Sequence, residues 1–317
     1  MTPFCKRSIC LTSLSIVLQT IAQFFLFLSV GYIAARLGVV RASFLSNTGG
    51  LIMKVLLPAM IFSSLYSGNS RTQLLSSLPV LPLAIGFYLF LALLIRGTAR
   101  LLRLPKDRNS IFQISFLFGN TGFVGLPLIA SLFPGKGMIC LALFSFVDQI
   151  FLWSYGISLV QQGDKRRFSL RSLLQPSTVA ILLALLCLCL DLRIPALLEN
   201  TVASLSRACS VLCMIYLGVM VFFTHLKEAA AHWEVYVGIA VKQLLFPLIV
   251  WFILGWINVP LVERGVFLVL SSLPTMTAVP ILVKTNGGDG EYAAGTAVMT
   301  FLFSLFLIPL LFWITQL

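Results

Sequence analysis

The chain has 317 residues, 59% of them hydrophobic and only 10% charged, with a net charge of +12. A soluble domain carries about 25% charged residues, so this composition excludes one and places most of the chain in a bilayer. The cations fall mainly in short segments between apolar runs, which reads as membrane topology and excludes a nucleic-acid-binding face.

At the N-terminus, Lys6-Arg7 followed by Ile9–Leu18 resembles a signal peptide, and Thr20-Ile-Ala22 resembles a cleavage site. The apolar run continues to Ala35, however, so cleavage would halve a span and a retained first helix is expected. With about 20 residues per crossing, ten spans are predicted: roughly 14–36, 46–66, 78–100, 110–132, 137–161, 176–195, 200–223, 233–257, 264–284 and 291–315. The predicted fold is an all-α integral membrane protein, a single unit over 1–317 with no inserted soluble domain. Assigning loops alternately to two sides puts thirteen lysines and arginines on one side and six on the other. The richer side is cytoplasmic, which makes this a multi-pass protein of the cytoplasmic membrane with both termini outside. The seven cysteines make no metal or disulfide framework: Cys187, Cys189, Cys209 and Cys213 lie in apolar runs. Cys5 and Cys10 are the pair that could meet outside the membrane.

The fourth span contains Phe118-Gly-Asn-Thr-Gly-Phe-Val-Gly-Leu-Pro-Leu128. Three glycines (Gly119, Gly122, Gly125), Pro127 and the amide of Asn120 interrupt a helix there. Broken backbone at membrane depth is tolerated where protein buries it or a wet cavity receives it, so the stretch is either a substrate-holding break or a packing kink. The ninth span has a counterpart. Setting Phe112 against Phe267 aligns Ser110–Asn120 with Gly265–Thr275, and Pro274-Thr-Met-Thr-Ala-Val-Pro280 continues as a second interruption. An odd number of spans between the copies gives them opposite orientations, so residues 1–161 and 162–317 form a five-plus-five inverted repeat with two crossing, Pro-broken helices. Paired breaks in inverted repeats point to the midplane site of a secondary transporter.

A half-helix beginning near Pro127, and a second near Pro280, would each present free N–H groups and a positive dipole end. Two such ends meeting in mid-membrane suit an anion, and a small organic carboxylate is the expected substrate. The candidate substrate-binding residues are Asn120, Thr121, Gly122, Gly125, Pro127, Pro274, Thr275, Thr277 and Pro280. For Asn120, Thr275 and Thr277 an alternative role, satisfying the broken backbone without touching substrate, stays open. Charges within spans are costly. Asp148 and Lys242 form either a proton-coupling group or a charge pair, and Lys54 faces the substrate path or a dimer seam. Arg207 is near enough to a span end to snorkel.

No nucleotide-binding loop and no hydrolase signature occurs, so no enzyme, cofactor or metal is expected. His225 and His232 read as surface residues of a connection, and Asn286-Gly-Gly-Asp289 as a turn. Lys165-Arg-Arg167 is accounted for by topology alone, and is also placed to touch anionic lipid headgroups.

Gly119-Asn-Thr-Gly-Phe-Val-Gly-Leu-Pro127 resembles the signature of the auxin efflux carrier family, which includes short bacterial transporters of dicarboxylates such as malonate. Leu57-Pro-Ala59, Lys242 with Pro247, and Ala293-Ala294 leading to Ser304 and Pro309 extend the resemblance over nearly the whole chain. It implies a scaffold of spans 1, 2, 6 and 7, a moving transport domain of spans 3–5 and 8–10, and a homodimer joined through the scaffold. The chain departs from the plant carriers in its short mid-chain loop, Gln162–Gln175, and in a third span without an acidic residue. The expected function is alternating-access transport of a small organic anion, with protons as the candidate coupling ion. An anion channel or a ligand-sensing membrane protein on the same helices is the alternative.

Overall fold

In lipid every backbone polar group must find a partner within the protein, which favours helices. The computed structural model describes residues 3–67, 69–161, 175–192, 194–224 and 226–317, and their regular structure is helical, with one isolated bridge. Lys165-Arg-Arg167, most of the mid-chain loop and His225 lie outside the described residues, as do the side chains of Cys5 and Cys10.

The helices are α1 (Pro3–Arg36), α2 (Ser43–Tyr66), α3 (Arg71–Leu101), α4 (Lys106–Leu117), α5 (Thr121–Leu132), α6 (Lys136–Val160), α7 (Pro176–Cys189), α8 (Ala196–Phe223), α9 (Leu226–Ala230), α10 (Trp233–Trp256), α11 (Leu261–Ser272), α12 (Val279–Thr285) and α13 (Gly290–Thr315). Among the described residues, seven helices are long and apolar enough to cross a membrane: α1, α2, α3, α6, α8, α10 and α13. The predicted fourth and ninth spans are each divided into two short helices, α4/α5 and α11/α12. The sixth, α7, has 14 residues, about 21 Å at 1.5 Å per residue, less than the ~30 Å hydrocarbon core.

The offset that sets Phe112 against Phe267 also sets the first residues of α4 and α11, Lys106 and Leu261, and their last, Leu117 and Ser272, against each other. Both helices have 12 residues and both follow a proline, Pro105 or Pro260, in the same extended conformation.

The helices pack in two groups. α1 lies along α8, and α2 lies against both α7 and α8. The α1–α8 contact is a close approach of backbones: a Cβ on Gly31 would stand 2.1 Å from the Ile215 carbonyl oxygen, and one on Gly218 2.0 Å from that of Leu28. Small residues admit such contacts where lipid supplies no hydrophobic drive. In the second group α3 packs on α4 and α6, α10 on α11, and α12 on α13. An aromatic cluster of Phe87, Tyr88, Phe144, Phe246 and Phe267 fills its centre.

Three prolines inside spans, Pro58, Pro127 and Pro247, are absorbed by widened turns. The π-turns Ile52–Leu56, Thr121–Gly125 and Ala240–Leu245 lead into Leu57-Pro58, Leu126-Pro127 and Phe246-Pro247. Proline offers no N–H and crowds the carbonyl one turn back. In each π-turn the residue before proline reaches five positions back instead of four (Leu57 to Ile52, Leu126 to Thr121, Phe246 to Val241), which opens the turn where the ring must fit. Lys54 and Lys242 both lie in these turns.

Candidate substrate site at the helix crossing

The two interruptions meet. Between α4 and α5 the chain is extended at Phe118, and between α11 and α12 it is extended at Leu273. They pair antiparallel at Gly119 and Thr275. The Asn120 N–H donates to the Pro274 carbonyl at 2.7 Å, and the Met276 N–H donates to the Phe118 carbonyl at 2.9 Å. Backbone groups left over by two broken helices thus satisfy each other. A Cβ on Gly119 would come within 3.1 Å of Leu273, and one on Gly125 within 2.8 Å of the same side chain. These glycines therefore serve the close fit of the crossing.

The polar side chains at the crossing serve the backbone first. The Asn120 Oδ1 accepts from the Phe123 N–H at 3.0 Å and caps α5, so helical backbone begins at Thr121. This corrects the expected start near Pro127, because the side-chain cap and the π-turn carry the helix further back, with Pro127 inside it. Pro280 is the second residue of α12, close to the expected start. The Thr275 hydroxyl donates to the Ser115 carbonyl at 2.8 Å, and the Thr275 N–H donates to Thr300 Oγ1 at 3.0 Å. Thr275 is therefore committed to the backbone. Asn120 keeps its Nδ2 unpaired, and the half-buried Thr277 hydroxyl also has no partner among the described residues.

The charged candidates do not form the expected pair. Asp148 is fully buried on α6 and accepts from the Tyr88 hydroxyl of α3 through Oδ1, while Oδ2 has no partner. Lys242 is buried on α10 and donates to the Leu273 carbonyl at the crossing. No ion pair joins Asp148 to Lys242 among the described residues. Each has a nearer partner of its own, and Gln243 beside Lys242 adds bonds to the Ser272 and Thr300 carbonyls at 3.3 and 3.0 Å. Lys242 thus acts as an internal counter-charge to the carbonyls that end α11. Tyr88, Gln243 and Thr300 escaped the sequence reading. A tyrosine at mid-span without an acidic neighbour in its own helix gives no signal of its own.

Beside the crossing lies a cavity of about 330 Å³. One wall is α2, with Met53, Lys54, Leu57 and Ile61, joined by Gln175 and Ser177 at the start of α7; the other is α6, with Ser145, Gln149 and Trp153. The crossing contributes Thr121 and Gly122, the first residues of α5, together with Met276 and Ala278 just before α12. Lys54 is exposed and, among the described residues, is the only charged side chain in the lining. Trp153 Nε1 donates to Gln149 Oε1 at 3.1 Å, holding that amide at the wall. Of the candidates, Lys54, Thr121 and Gly122 line this space, whereas Asn120, Gly125, Pro127, Pro274, Thr275, Thr277 and Pro280 are not among its lining residues. A helix N-terminus and an unpaired ammonium facing one apolar cavity form an environment for an anion with a non-polar body.

His232 packs edge-on against Tyr292, 3.5 Å from Glu234, away from this cavity. Asp289 caps α13 through the Glu291 and Tyr292 N–H groups, which makes Asn286–Asp289 a turn as expected.

The profile of a family described as membrane transport protein matches residues 16–169 and 165–314. The chain is also similar to an uncharacterised transporter of Methanothermobacter thermautotrophicus, 25% identical over 92% of this chain and 96% of that one. An uncharacterised transporter of Methanocaldococcus jannaschii is 26% identical over 90% and 94%. With the broken-helix motif at Gly119–Pro127 placed at a crossing beside a cavity, and with the profile covering both halves, this chain belongs to the membrane transport protein family, that of the auxin efflux carriers.

Proposed function

We propose that the protein is a secondary transporter that moves a small organic anion, a carboxylate, across the cytoplasmic membrane by alternating access. The observation that carries this reading is the single cavity that joins the N-terminal end of α5 to the unpaired cation of Lys54. The carboxylate sits between Lys54 and the N–H of Gly122. That N–H is the open one of the first three in α5, because the Thr121 N–H donates to the Gly119 carbonyl at 2.9 Å and the Phe123 N–H to Asn120 Oδ1 at 3.0 Å. The Asn120 cap thereby fixes the end of α5 that meets the anion.

Counting α4/α5, α7 and α11/α12 as one crossing each gives ten crossings in two inverted sets of five. The shared offset and length of α4 and α11 support that arrangement. The packing of α1, α2, α7 and α8 supports a scaffold, with the remaining helices as the moving domain and the cavity at the seam between them. Dimerisation through the scaffold, termini on the outer side and protons as coupling ion complete the proposal, with Asp148 as the coupling group.

The test is uptake of a labelled carboxylate panel, from malonate and malate to indole-3-acetate, into proteoliposomes, with and without a pH gradient. Saturable flux with substrate-driven counterflow, reduced in Asn120→Ala, is the expected result. Absence of flux for every acid from folded protein, or flux without saturation, refutes carboxylate transport by alternating access.

A further inference from the structure

A second polar recess lies apart from the crossing, between α3, α4 and α6. It is a space of about 360 Å³ lined by Arg96 and Arg100 of α3, Asn109 and Gln113 of α4, and Tyr155 and Ser158 of α6. The two arginines are one turn apart, both exposed, and neither has a carboxylate partner among the described residues. Opposite them the polar groups are already ordered. Tyr155 donates to Gln113 Oε1 at 3.4 Å, and Gln113 Nε2 donates to Asn109 Oδ1. This relay fixes both amide oxygens as acceptors, so the Asn109 Nδ2 and two guanidinium forks are the donors left to face the recess. Converging donors with no carboxylate among the described lining residues fit a tetrahedral oxyanion.

The position of the recess says where that oxyanion comes from. Ile85, Leu89 and Leu93 of α3 are 45%, 55% and 71% exposed. At helical spacing they share one face with Arg96 and Arg100. That face is an apolar stripe for acyl chains that ends on the two arginines, one to two turns further on, where headgroups lie. An exposed Leu101, followed by the charged Arg103 and Lys106, marks the chain leaving the membrane.

We infer that the α3–α4–α6 recess is a binding site for the phosphate of an anionic phospholipid, with Arg96 and Arg100 as its ligands and Asn109 as a third donor. The acyl chains lie along Leu93 and Leu89, and the headgroup phosphate occupies the recess. The site needs neither the transported substrate nor the crossing.

The experiment is native mass spectrometry and thermal unfolding of the full chain in detergent, titrated with phosphatidylglycerol, phosphatidylcholine or inorganic phosphate. Phosphatidylglycerol is expected to be retained and to raise the unfolding temperature, and phosphatidylcholine to do neither. Arg96→Gln/Arg100→Gln is expected to reduce phosphatidylglycerol retention about tenfold, whereas Arg36→Gln/Arg41→Gln, a basic pair elsewhere, leaves it unchanged. Equal loss in both pairs overturns the site in favour of diffuse surface attraction, and an equal response to inorganic phosphate overturns the lipid as its source. Should the double variant not fold, a photoactivatable phosphatidylglycerol on the unaltered protein decides. Adducts in 89–113 or at 155–159 support the site, and adducts confined to other segments overturn it.

Discussion

Replacing Thr275 by valine removes one hydroxyl and leaves the shape of the side chain. That hydroxyl donates to the Ser115 carbonyl at 2.8 Å, at a residue only 3% exposed, so no water replaces it. A buried acceptor left without its donor costs about 1–3 kcal/mol. The backbone pair at Gly119 and Thr275 and the Thr275 N–H bond to Thr300 Oγ1 remain. Thr275→Ser keeps the hydroxyl and loses one methyl, about 0.8 kcal/mol by transfer alone. The expected order of stability is therefore unaltered protein, then Thr275→Ser, then Thr275→Val, with the valine variant lower by roughly 1–3 kcal/mol. Unfolding in detergent, followed through tryptophan fluorescence, measures this without any transport assay. A valine variant as stable as the parent, or a serine variant less stable than valine, would show that the hydroxyl does not hold the crossing.

Gly218→Ala places a methyl group against the Leu28 carbonyl and forces α1 from α8; overpacking of this kind costs about 1–3 kcal/mol, and the loss is read as a lower unfolding temperature. Gly86→Ala, with nothing within 4 Å of the added carbon and in a helix interior that suits alanine better than glycine, is expected to hold that temperature or raise it. Lys54→Gln removes the only charge that the described residues bring to the cavity lining. It is expected to raise KM for the transported anion about tenfold, some 1.4 kcal/mol, with little effect on stability because Lys54 has no ionic partner to lose. An unchanged KM takes Lys54 out of the site. Asp148→Asn preserves an acceptor for the Tyr88 hydroxyl while removing the ionisable group. Folded protein whose flux no longer responds to a pH gradient is the expected outcome, and an undiminished response excludes Asp148 from coupling.

The breaks at Phe118–Leu128 and Pro274–Pro280 were legible in the sequence because their cause is local: glycine and proline act on the backbone they belong to. The same holds for membrane insertion, which follows from the length and polarity of each run, and for the matched position of the two interruptions. Partner choice is not local. Asp148 takes Tyr88, 60 residues away in sequence, in place of Lys242. Thr275 takes the Ser115 carbonyl, 160 residues away, and Lys242 takes that of Leu273, 31 away. The start of α5 moved from Pro127 to Thr121 because a side-chain cap and a π-turn outweighed the proline signal. The cavity exists only where α2, α6, α7 and the crossing pass one another. Sequence alone determined which backbone breaks and which runs are apolar enough for lipid, since both are set by neighbouring residues. Only the tertiary structure decided which groups satisfy the broken ends and which stay free for a ligand, because each buried polar atom takes the nearest partner that packing brings to it.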